Sequence, residues 1–70
     1  MKVYYLYATV EGRDLKVKHF PSRAAAEHAM YKIMDRNNLQ VINSDDMGHY
    51  RTYKCGEHSW FHINRAVLAK

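Results

Sequence analysis

The chain reads as an α+β domain of order ββαβββ, a single amphipathic helix packed on one face of an antiparallel sheet. Three observations predict this. Leu15-Lys16-Val17-Lys18-His19-Phe20 begins as an apolar and basic alternation of period two, the mark of a half-buried strand. After Pro21-Ser22 the period changes, and Ala26, Ala29, Met30 and Ile33 recur at spacings of three and four, which puts them on one stripe of a helix. Downstream, residues 50–55 and 59–65 are rich in aromatic and β-branched types and are broken by Gly56-Glu57-His58, which predicts two strands and a turn.

The elements follow in order. Residues 2–10, rich in Val and Tyr, form the first strand, and Glu11-Gly12-Arg13-Asp14 turns the chain into the second, residues 15–20. Ser22 is placed to cap a helix over residues 23–36, since its hydroxyl can accept from a free amide of the first turn. Arg23 and Glu27 lie one turn apart and are expected to pair on the solvent side. Asn37-Asn38 ends the helix, because Asn tolerates the left-handed conformation. Residues 39–42, Leu-Gln-Val-Ile, read as the third strand, and residues 43–48, Asn-Ser-Asp-Asp-Met-Gly, as a turn. Residues 66–70 either extend the last strand or form a loose helical turn. With no repeat and no linker, residues 1–70 are expected to make one domain.

Size and composition narrow the function classes. A chain of 70 residues buries only about 60% of the surface its unfolded form exposes, so it leans on a good core, a metal or a partner. An apolar content of 47% supplies the core and argues against intrinsic disorder. Cys55 is the single cysteine, which removes an internal disulfide and fits a reducing, cytoplasmic compartment. The apolar start of the chain carries Tyr4, Tyr5 and Tyr7 and runs into charged residues 11–14, so it reads as a strand and not as a signal peptide. No run approaches the ~20 apolar residues of a membrane span. The net charge of +4 is spread along the chain, giving at most mild steering toward polyanions.

If the helix covers one face of the sheet, alternation decides what the other face carries. Leu6, Ala8, Val10, Leu15, Val17, Phe61 and Ile63 suit the covered face, and in the fourth strand so do Tyr53 and Cys55. The open face then presents Tyr5, Tyr7, Lys16, Lys18, Tyr50, Lys54, Trp60 and His62, with Thr52 and Asn64 among them. Aromatic rings interleaved with cations suit single-stranded nucleic acid, whose bases stack on rings while lysines meet phosphates. The same surface also suits a protein partner or a second copy of the chain.

Candidate chemistry is sparse. Cys55, His58 and His62 form C-x2-H-x3-H with His49 nearby, the right donors for zinc but without the second ligand pair that such sites use, so no metal is expected. A Cys55–His58 nucleophile lacks a third residue and an oxyanion hole. Asp45-Asp46 before Gly48 reads as turn-forming, and Gly12, Gly48 and Gly56 are too isolated to cradle a phosphate. Five histidines raise the charge near pH 6. Met30 and Met34 are read as helix packing.

In size and lack of motifs the chain is similar to the accessory proteins of phages and mobile elements, a class that acts by contact and implies no residue roles. The expected function is therefore non-enzymatic binding, without cofactor, membrane or small-molecule substrate. Single-stranded nucleic acid is the first partner. An inhibitor or regulator acting by protein–protein contact, including self-association, is the alternative.

Overall fold

The computed structural model describes residues 2–67. The expected continuation over residues 68–70 lies outside the described residues. Two strands, β1 (Lys2–Val10) and β6 (Trp60–Val67), form the centre of the sheet. β5 (Tyr50–Lys54) and β4 (Asn43–Asp46) extend it on one side. On the other side, β2 (Arg13–Asp14) and β3 (Lys18–Phe20) lie one after the other along the same edge of β1. Every pairing is antiparallel, and one helix, α1 (Arg23–Arg36), packs on the sheet. The α+β architecture with its single helix on an antiparallel sheet is thus the predicted one. The second predicted strand is divided, giving the order βββαβββ.

The division has a cause in the sequence. Thr9 faces Asp14 and Val10 faces Arg13, yet Leu6 faces Lys18 and Tyr4 faces Phe20. Between these stretches Leu15, Lys16 and Val17 oppose only Tyr7 and Ala8, so the edge carries one extra residue, a β-bulge. Leu15 and Phe20 both pack against the core although they stand an odd number of positions apart. Strict alternation would send one of them to the opposite face, and the bulge turns both inward.

The strand predicted over residues 39–42 is not one. Asn38 takes φ 56°, and the Leu39 amide donates to the Met34 carbonyl at 2.8 Å. Leu39 folds back against the core, so its apolar side chain serves the helix stop. The strand forms instead at β4, where a turn was predicted. Met47 N–H donates to Tyr50 O at 2.8 Å, closing a two-residue loop of Gly48-His49. Gly48 has φ 88°, the positive value that the first loop position of a II′ hairpin requires.

The core is formed by Ala26, Met30 and Met34 of the helix against Leu6, Ala8, Tyr53, Cys55, Phe61 and Ile63 of the sheet. Ala29 and Ile33 flank it, half-buried, so the predicted helical stripe meets the sheet, rotated slightly toward Met34. Ser22 Oγ accepts from the Ala25 amide at 3.2 Å, the predicted cap. Among the described residues no helix is long and apolar enough to cross a membrane.

The β1–β2 turn contains one mismatch between residue and backbone. Glu11 and Gly12 have φ 51° and 79°, the two positive values of a I′ turn, which favours Asn-Gly. A non-glycine residue with a long side chain costs about 1 kcal/mol in that conformation. Glu11→Asn is expected to raise the urea midpoint of unfolding, with a gain of up to ~1 kcal/mol and an unchanged denaturant slope.

Candidate functional site: the helix-free face of the sheet

Alternation along the two central strands separates two populations of side chains. Phe61 and Ile63 are buried beneath the helix with Leu6 and Ala8. Their neighbours Trp60, His62 and Asn64 point to the other side, as do Tyr5, Tyr7 and Thr9, which they face across the ladder. In β5, Tyr53 pairs with buried Phe61, so Tyr50, Thr52 and Lys54 join the open side. Trp60 stays 45% exposed and Tyr7 41%, uncovered by any described element.

The rings on this face touch one another. His62 lies parallel to Tyr50, with centroids 4.6 Å apart and planes at 11°. Tyr7 meets the same imidazole edge-on at 5.9 Å, and His49 approaches Tyr50 at 5.1 Å. Tyr5 sits further along β1 beside His19, at 6.3 Å. Three strands thereby hold a band of aromatic rings in favourable stacked and edge-to-face pairs, and Trp60 stands beside it, bordering a shallow depression with Tyr7, His62 and Asn64.

The structure does not bring all eight predicted residues together. Tyr5, Tyr7, Tyr50, Lys54, Trp60 and His62 share the face. Lys18 does not, because the bulge shifts its register and pairs it with Leu6 on the helix side of the sheet edge. Lys16 lies within the bulge, off the ladder, where alternation assigns it no face. Val17 likewise leaves its predicted covered position and is exposed. Prediction missed the acidic residues: Asp14 reaches Thr9 Oγ1 at 2.7 Å, and Asp45 faces Thr52 across the β4–β5 ladder. Lys54 is therefore the one lysine that the ladder registers place on this face among the described residues, and carboxylates accompany it.

Burial holds the His62 pKa below its ordinary value of 6.5, since the imidazolium would lose hydration between the two tyrosines. Below that pH the unfolded chain therefore binds more protons than the folded one. Stability is complete above about pH 6.5 and falls as the pH drops toward the lowered folded value. Asp46 adds a second acid-sensitive contribution at lower pH, because hydrogen bonds from Arg51 and Gly48 keep its carboxyl below 3.8. The urea midpoint is expected to fall between pH 7.5 and 5.5, and His62→Phe is expected to flatten that fall.

On the helix side, Arg51 donates to Glu27 at 3.3 Å and also engages Asp46. Tyr53 Oη donates to the same Glu27 oxygen at 3.0 Å, and Arg23 donates to Gly48 O at 3.1 Å. The expected Arg23–Glu27 pair is replaced by these longer-range contacts, which tie the helix to the β4–β5 hairpin. Arg51 is committed to them and lies on the wrong side to serve the aromatic face.

The candidate metal and nucleophile groups are dispersed. Cys55 is buried in the helix-side core, and burial pushes its thiol pKa up, away from the thiolate that zinc binding or nucleophilic attack needs. His62 is on the opposite face, and His58 is an exposed loop residue near Glu57. Among the described residues no three His, Cys, Asp or Glu side chains are grouped to hold a metal ion. Comparison of the chain with family models, curated proteins and solved structures returns no match.

Proposed function

We propose that this protein is a non-enzymatic binding module that contacts another protein through its helix-free sheet face. One observation carries the reading. Tyr7, Tyr50, Trp60 and His62 form an exposed or half-buried aromatic surface on which Lys54 is accompanied by Asp14 and Asp45. Clustered Tyr and Trp with few charges at the centre is the composition of a protein-contact patch. Single-stranded nucleic acid needs cations spaced along its phosphates, and the register places Lys18 away from the rings.

The test compares capture of proteins by the full chain, from cells that express it, with capture by Tyr7→Ser/Tyr50→Ser and by Tyr31→Ser on the exposed side of the helix. A bound protein should be lost with the first variant and retained with the second. Titration of Trp60 fluorescence with a poly-dT oligonucleotide at low salt should leave the emission unchanged. Quenching that weakens steeply with salt would instead establish the nucleic-acid reading.

A further inference from the structure

Beside the aromatic band, on the β4 side of Trp60, lies a second hollow of about 300 Å³. The Trp60 indole, the Asp45 and Glu57 carboxylates, Thr52, Asn43 and Lys54 line it. Their arrangement follows from register. Lys54 faces Trp60 in one ladder and Asn43 in the other, while Asp45 faces Thr52, so side chains from β4, β5 and β6 converge on one spot. Glu57 enters from the β5–β6 connection.

The carboxylates of this hollow differ from the paired ones at Asp14, Glu27 and Asp46. Asp46 and Glu27 are held by Arg51, and Asp14 by Thr9. Asp45 has no hydrogen-bond or ion-pair partner among the described residues, and Glu57 has only the exposed His58 at 4.0 Å. The lining thus carries two carboxylates against one ammonium, next to an indole that is 45% exposed.

Resting on the protein-contact reading above, we propose that this hollow receives an arginine side chain of the partner. Its guanidinium lies against the Trp60 ring and donates to Asp45 and Glu57. The chemistry selects that group over the other side chains a protein can offer. A guanidinium is planar and weakly hydrated, stacks on indole, and presents several N–H donors at once. One added positive charge also brings the hollow to neutrality. An acidic side chain or a phosphate would meet two carboxylates, and a purely apolar one would leave them without a cation.

The probe is acetyl-arginine amide, with acetyl-citrulline amide as its uncharged isostere, and the readout is the emission of Trp60, the single tryptophan. The arginine amide should shift the emission saturably and more weakly as salt rises, and the citrulline amide should not. Neutralising both carboxylates, in Asp45→Asn/Glu57→Gln, should weaken the response about tenfold, because charge-assisted hydrogen bonds are lost. Lys54→Ala, which removes the competing ammonium, should strengthen it by ~3-fold, the scale of one exposed charge pair. Equal responses to the two amides, or an undiminished response in the double variant, would overturn the assignment. That failure is separable from failure of the contact reading, which shows as protein capture that survives Tyr7→Ser/Tyr50→Ser.

Discussion

Replacing Phe61 by alanine is expected to lower the unfolding free energy by about 3–5 kcal/mol, the usual cost of emptying a large aromatic site in a core. The residue has no exposed surface and lies on the central strand between Ala8 and Tyr53, within the cluster that includes Met30 of the helix. Neither ladder neighbour has length to spare for filling the void: Ala8 ends at its β-carbon, and Tyr53 is held at its hydroxyl by Glu27. A chain of this size holds only about 4–10 kcal/mol in total. The variant should therefore be partly unfolded at 37 °C, with a urea midpoint far below that of the parent and loss of near-ultraviolet dichroism. A fall of less than 1 kcal/mol would mean that the helix does not seat over the β1–β6 pair as described.

Trp60→Ala should show the complementary behaviour. The next residue along the strand, Phe61, is buried while Trp60 itself remains 45% exposed, so truncation should cost only about 1 kcal/mol of folding stability, the scale of its lost cross-strand pairs. Partner affinity should nevertheless fall by ~30-fold or more, the effect of removing a central aromatic anchor of about 2 kcal/mol. Measured together, urea unfolding and binding by the same variant separate a contact residue from a packing residue. Retained affinity with intact folding would move the contact surface elsewhere on the molecule.

Where local pattern and tertiary demand agree, the sequence is a faithful guide. Phe61 and Ile63 alternate with Trp60 and His62 along an eight-residue strand with no interruption, so the division between covered and open face was legible from spacing alone. Ser22 announced the helix for a similarly local reason. The misreadings fall where distant groups decide. Asn43-Ser44-Asp45-Asp46 has the composition of a turn, and it becomes a strand because Tyr50–Lys54 offers it a ladder and Arg51 holds Asp46. Leu39 looks like part of a strand and is spent on closing the helix end. Lys18 follows a period-two pattern that the bulge at residues 15–17 interrupts, and only the apolar character of Leu15 and Phe20, an odd number of positions apart, hints at it. Arg23 and Glu27 have local partners available and take remote ones. The aromatic half of the candidate site was therefore readable, and its charge was not, because charge depends on register at both sheet edges.

The pairing of β1 with β6 reaches beyond equilibrium structure. The two strands that share the longest ladder, from Lys2 opposite Val67 to Thr9 opposite Trp60, are separated in the chain by every other element. Joining them closes the entire stretch from Thr9 to Trp60 into one loop, an entropic toll that local turns do not carry. Refolding should consequently be sluggish for so short a chain, on the millisecond-to-second scale of topologies dominated by distant contacts. Until Phe61 and Ile63 dock beside β1, the helix and the first hairpin should have their apolar sides unsheltered, the kind of transient exposure that invites association between folding chains.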